Sequence, residues 1–130
     1  MAQLAARYDL YLRSVQSPEH EIDFFRKAYK RTYGGLPKNL REDFCGTAAV
    51  CCEWVRGHPE RSAIGVDIDP VPLAWGREHN LGGLPEVART RVTLLREDAR
   101  RVHGPKADIV AAQNFSFQCF TTRPDLKRYF

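Results

Sequence analysis

The chain has 130 residues, 43% hydrophobic and 28% charged, and 20 basic against 16 acidic side chains leave a net charge of +4. That length suits one domain, and the apolar content supports a packed core and argues against wholesale disorder. No run of about 18 apolar residues is present to span a bilayer, and Met1–Arg7 lacks the basic-then-apolar pattern of a secretory signal, so a cytoplasmic protein is expected.

Leu4, Tyr8, Tyr11, Leu12 and Val15 fall on one stripe of a first helix. Ser17-Pro18 restarts the chain, Ser17 as a cap and Pro18 at the first helical position, where no amide donor is needed. Glu19 and Glu21 suit the positive end of that second helix, and Ile22, Phe25 and Tyr29, with Phe24 and Ala28, make its apolar face. Gly34-Gly35-Leu36-Pro37 ends it. A strand over 39–44 then runs into a turn at Cys45-Gly46-Thr47, followed by an apolar helix over 48–56 that His58-Pro59 stops. A second strand, 62–66, reaches Asp67, and Asp69-Pro70 caps and opens a helix to about Asn80. Gly82-Gly83 and Pro85 mark a loop, 91–95 alternates as a third strand leading to Asp98, and 107–112 reads as a fourth. From Thr122 to Phe130 the pattern begins another helix.

Strand–helix alternation with short connections predicts an α/β fold: a parallel sheet of about four strands with flanking helices, preceded by two N-terminal helices. Ligands of such sheets bind outside the carboxyl ends of the strands. Glu42, Asp67, Asp98 and Asn114 all fall at or near such ends.

Four cysteines occur, but no C-x-x-C pair, so neither a metal site nor disulfides are expected and reduced, buried thiols are. The basic clusters at Arg26–Arg31 and Arg89–Arg101 are read as solvated faces in preference to a nucleic-acid patch. His20, His58, His79 and His103 show no partners in the pattern, and Trp54 and Trp75 are placed in the core.

Gly46 lies in a strand-to-helix turn, where it is either a tight-turn residue or a point at which backbone approaches a ligand. Asp67, 21 residues on, sits where a carboxylate binds the ribose hydroxyls of a nucleoside, and Asp69 takes the capping role, leaving Asp67 free. The G-x-G-x-x-G fingerprint is absent, which disfavours a dinucleotide.

Leu40–Ala48, with Cys45-Gly46-Thr47 and an acidic Glu42, resembles the first motif of class I S-adenosylmethionine-dependent methyltransferases, usually hydrophobic-D/E-x-G-C-G-T-G. Gly65–Pro70 resembles the second motif, Glu97-Asp98-Ala99 the third and Ala107–Val110 the fourth strand, so the resemblance covers roughly residues 38–115 in order. Arg41–Thr47 with Asn114-Phe115-Ser116-Phe117 further resembles a bacterial subgroup of unknown substrate. The resemblance implies a Rossmann-like sheet with S-adenosylmethionine as cofactor. Gly46 would pass under its methionine part, with Phe44 and Cys45 beside it and Glu42 near the amino group, directly or through water. Asp67 would accept from both ribose hydroxyls with Ile68 alongside, Asp98 from the adenine amino group, and the Ala99 amide would donate to the ring. Asn114 would lie near the methyl group and the acceptor.

The first and third loop glycines of the family are here Phe44 and Ala48, so the loop must accommodate side chains at both. Asn114–Phe117 lacks both prolines of the N-P-P-Y/F motif; pocket lining and a strand-end cap both remain open for it. Tyr8, Tyr11 and Gln16 stand between a lid and helix packing. The family fold has seven strands and four are legible, so the resemblance implies a chain truncated after the fourth. The exposed edge then favours a homodimer, and the chain alone is expected to show weak or no activity. The expected organisation is a helical segment over 1–35 and the cofactor-binding half of a methyltransferase over 36–130. Its acceptor is expected to be a small molecule, with no base identifiable. The alternative is a non-catalytic nucleoside-binding or interaction module of the same fold.

Overall fold

Two helices come first. In the computed structural model, which describes residues 2–15 and 17–130, α1 spans Ala2–Val15 and α2 spans Pro18–Tyr33. Gln16 and the side chains of Leu4, Leu12 and Val15 lie outside the described residues. Pro18 starts α2 as expected, but Ser17 makes no side-chain cap; its hydroxyl lies 3.0 Å from His20 Nδ1 instead. Only Ile22 of the anticipated apolar face is fully buried. Phe25 and Tyr29 are half-buried and Phe24 is exposed, because α2 packs mainly along one side, against the helix over 49–56, and its outer side faces solvent. Gly34, in the left-handed region at φ 79°, closes the helix through its amide to the Lys30 carbonyl.

The alternating part follows. Strand β1 (Asn39–Asp43) leads to helix α3 (Ala49–Arg56), and β2 (Ser62–Asp67) to α4 (Pro70–Gly76), which continues as a π-helical turn over Arg77–Leu81. A short helix α5 (Glu86–Arg89), unexpected within the glycine-rich loop, precedes β3 (Val92–Arg96). Strand β4 (Ile109–Ala112) and helix α6 (Arg123–Tyr129) complete the order, with single 3-10 turns at Ala99–Arg101 and Ser116–Cys119. All strands are parallel, in the order β3-β2-β1-β4. The order reverses between β1 and β4, the switch point where a crevice opens in such sheets. The register sets Asp43 opposite Val66 and Ala112, and Asp67 opposite Arg96, so the strands end level.

The core lies between the sheet and α3. Trp54, Val50, Val55 and Cys51 of α3 pack on Leu40, Ala63 and Leu73. Trp54 Nε1 donates to the Lys38 carbonyl at 3.1 Å, which satisfies its one polar atom. Trp75 departs from its core assignment: it is half-buried and stacked on His79, with ring centroids 4.3 Å apart. His79 also bonds the Trp75 carbonyl and His58 accepts from the Glu60 amide, so both have local partners. Cys45, Cys51 and Cys52 are buried free thiols, whereas Cys119 is exposed. No helix among the described residues is long and apolar enough to cross a membrane.

Helix α4 lies directly against the turn after β1. A β-carbon on Gly76 would collide with the Thr47 carbonyl, and Asn80 Nδ2 donates to that same oxygen at 2.8 Å. The Thr47 atoms it would meet are all backbone and cannot swing aside. Gly76→Ala is therefore expected to destabilise the protein by about 2 kcal/mol or more, read as a lower urea midpoint. An unchanged midpoint would show that the turn yields freely.

Candidate functional site

The turn between β1 and α3 carries the first group of expected residues. Phe44, Gly46 and Ala48 have φ of 59°, 55° and 58°, all in the left-handed region. Left-handed backbone costs a side-chain-bearing residue about 1–2 kcal/mol. The loop thus keeps a glycine-type path with phenylalanine and alanine on it. Ala48 is fully buried and Phe44 packs against Phe120 and Tyr129, with centroids 5.8 and 6.0 Å away, which offsets that strain. Gly46 is open: a β-carbon there would meet nothing within 4 Å. The Cys45 amide donates to the Val66 carbonyl at 2.9 Å, and its thiol is buried.

Asp67 ties this turn to the end of β2. One carboxylate oxygen accepts from the Gly46 amide at 2.7 Å and the other from the Asp69 amide at 2.9 Å. Asp69 caps α4 through the Val71 amide, as expected. Asp67 itself is not free, because its position beside two amide donors engages both oxygens. Each oxygen still has a lone pair for a further donor.

Asp67, Ile68, Asp98, Ala99 and Phe44 come together around a slot of about 130 Å³ closed on its far side by Phe120. Ile68 is 68% exposed, an apolar side chain facing outward beside the slot. Asp98 begins the 3-10 turn by accepting from the Arg100 amide at 2.9 Å. The Arg100 guanidinium grips the same carboxylate and holds its pKa down at about 2. Arg100 also bonds Asp125 of α6 at 2.7 Å and lies 4.8 Å above the Phe120 ring. Asp98 is therefore engaged by a cation two residues along the chain, not free as its strand-end position suggests. The Asp98-x-Arg100 spacing was the available signal; nothing local announced Asp125 or Phe120. Tyr129 Oη donates to Asp43 at 3.0 Å, and Arg41 pairs with Asp43 at 2.7 Å, which anchors α6 to the end of β1.

Glu42 lies beneath the turn. It is 1% exposed, accepts from the Cys51 thiol at 3.2 Å, and burial pushes its pKa up to about 8, with the negative charges of Glu21 and Asp67 adding to the rise. Its carboxyl belongs to the core, so any contact with a ligand is indirect. Asn114 is exposed past β4 with φ 54°, next to Phe115 at 56°. Its amide donates to Tyr11 Oη at 3.2 Å, and the Tyr8 ring lies 5.4 Å from that of Trp75. Through these two tyrosines α1 joins α4 to the turn after β4.

No protein-family model matches the chain, and no curated protein matches it by sequence. Solved structures do match it. A sugar N-methyltransferase from Streptoalloteichus superposes with a TM-score of 0.71 at 21% identity, over 94% of this chain and 45% of that one. An S-adenosylmethionine-bound amino pentose methyltransferase from Micromonospora echinaspora, involved in calicheamicin biosynthesis, gives 0.73 at 20%, over 95% and 48%. A glycopeptide N-methyltransferase complexed with sinefungin gives 0.70 at 15%, over 89% and 47%. The chain shares their Rossmann-like fold and spans about half the length of each.

Proposed function

We propose that this chain binds S-adenosylmethionine and forms the cofactor-binding half of a methyltransferase with a small-molecule acceptor. One observation carries the proposal: at the end of β2 the Asp67 carboxylate draws in the Gly46 turn, setting an anionic acceptor beside open backbone near the switch point. The shared fold with methyltransferases bound to S-adenosylmethionine or sinefungin supports it.

The residues present suit the cofactor. Asp67 retains lone pairs for ribose hydroxyls, and the apolar slot beside Ile68 and Ala99 is of a size for a flat heterocycle. It is well below the roughly 300–1,000 Å³ of a pocket enclosing a whole small molecule. The remainder of the cofactor would extend over Gly46 toward β4, with Phe44 and Cys45 lining the turn and Glu42 bracing it from below. Asn114 would stand near the acceptor, and residues 1–35 would cover the cradle built by 36–130. When bound, the sulfonium supplies an activated methyl group; the chain's own residues orient it and exclude water.

The engagement of Asp98 by Arg100, itself held by Asp125, favours a second reading, a nucleoside-binding module without turnover. Thermal denaturation separates the possibilities. S-adenosylmethionine and S-adenosylhomocysteine at about 100 times Kd are expected to stabilise the chain by about 2.7 kcal/mol, several degrees in Tm. NAD is expected to do nothing. A shift with NAD alone would replace the proposal with a dinucleotide site, and no shift with any of the three would remove it. Methyl transfer, assayed separately, decides between the two readings.

A further inference from the structure

A groove of about 470 Å³ lies between α2 and the carboxyl end of β4, on the opposite side of β1 from the slot at Asp67 and Asp98. Its walls are aromatic, with Phe24, Phe25 and Phe117, and Asn114 stands at its β4 end. Glu21 faces into it from the first turn of α2. Oε2 of Glu21 is buried and has no hydrogen-bond partner among the described residues. A buried acceptor without a donor costs about 1–3 kcal/mol, more when charged, and such groups in folded proteins call for an explanation. Among the described residues the lining carries no lysine or arginine to supply the donor. The nearby Glu42, its pKa pushed up to about 8 by burial, is protonated at neutral pH and brings no countercharge to Glu21.

An aromatic-walled groove with an unsatisfied acid at its base is complementary to a cation on an apolar body, because ring faces and carboxylate both attract positive charge. A neutral hydroxyl would satisfy the hydrogen bond and leave the charge of Glu21 unpaired. A carboxylate would set a second negative charge beside it.

We propose that this groove is the methyl-acceptor subsite, that the acceptor is an amine carried on an apolar body, and that Glu21 holds its ammonium and removes the proton. This deepens the methyltransferase reading above and rests on it. Glu21 takes one proton from R–NH3+, which frees the nitrogen lone pair. The N–C bond to the methyl group forms as the C–S bond breaks, and that bonding pair stays on sulfur. The product leaves as the methylated ammonium. Burial raises the proton affinity of Glu21, the direction a base for this step needs. The titratable groups around it are His20 on its own helix and Glu42 on β1.

The test uses the full chain and three probes of one shape: 2-phenylethylammonium, 2-phenylethanol and phenylacetate, with binding followed by calorimetry. The ammonium is expected to bind at least tenfold more tightly than the alcohol, and phenylacetate not at all. Glu21→Gln should weaken the ammonium at least tenfold and leave the alcohol unchanged. A carbon-detected titration of the Glu21 carboxyl in the unaltered chain covers the case of a misfolded variant, and the ammonium should lower its pKa by about one unit or more. Equal affinity for ammonium and alcohol, no binding of the ammonium, or an unmoved titration overturns the proposal. S-adenosylhomocysteine is measured in parallel: its failure to bind while the ammonium does would overturn the cofactor reading and leave the amine groove standing.

Discussion

Asp67→Ala is expected to abolish measurable binding of S-adenosylhomocysteine and also to lower the stability of the unliganded chain. The two effects have separate origins. In the folded chain the carboxylate accepts from the Gly46 and Asp69 amides, and hydrogen bonds to a charged acceptor contribute about 1.5–3 kcal/mol each. The aspartate is only half-buried, so water recovers part of this, and a loss of roughly 2–3 kcal/mol is expected in urea unfolding. Removing the acceptor for two ribose hydroxyls is expected to weaken the ligand about 100-fold or more. Asp67→Asn sharpens the test. It retains one acceptor oxygen but presents an amide donor toward Gly46 or Asp69, so it should lose affinity at a smaller cost in stability. Undiminished ligand binding in Asp67→Ala would remove Asp67 from the site and with it the observation on which the proposed function stands.

Glu42→Gln should change how stability depends on pH. The buried carboxyl has its pKa raised from 4.5 in the unfolded chain to about 8 in the folded one. Between those values the folded state holds more protons than the unfolded state, so stability is greatest below pH 4.5 and falls as pH rises through 8. The slope approaches 1.4 kcal/mol per pH unit within this window, because one pKa unit corresponds to about that energy. Glutamine keeps an oxygen for the Cys51 thiol and carries no charge, so this contribution to the slope should vanish. Its buried NH2 group loses water in turn, at about 1–3 kcal/mol. The net expectation is a variant more stable than the parent by roughly 2 kcal/mol at pH 8 and no more stable at pH 5. Parallel stability–pH curves for the two proteins would show that Glu42 is ionised in the fold and stabilised by partners other than Cys51.

Phe44 and Ala48 connect these results to the form of the loop. In the methyltransferase motif these positions are glycine, and here both side chains ride on left-handed backbone. The path of the chain is thus retained where its usual residue is not. The turn is enclosed by α4 through Gly76, by β2 through Asp67, by α6 through Tyr129 and by Phe120 after the second 3-10 turn, contacts sufficient to hold a strained conformation.

Local pattern alone was enough for the order of strands and helices other than α5, for the Asp69-Pro70 start of α4, for the glycine stop at Gly34 and for the placing of Asp67 and Asp98 at strand ends. Periodicity, caps and proline act over a few residues, and these features need nothing more distant. The strand order, the burial of Glu42 and the Asp98–Arg100–Asp125 chain of ion pairs came only with the tertiary structure. So did the half-exposed setting of Trp75 and the buried oxygen of Glu21 that has no partner among the described residues. Each depends on which distant segments meet: Glu42 is an ordinary acidic strand residue in the sequence until Cys51 of α3 closes over it, and Asp125 stands 27 residues from Asp98. Desolvation and charge pairing at this site arise from those meetings, so the sequence marked the residues of the cradle and the packing decided what each is free to bind.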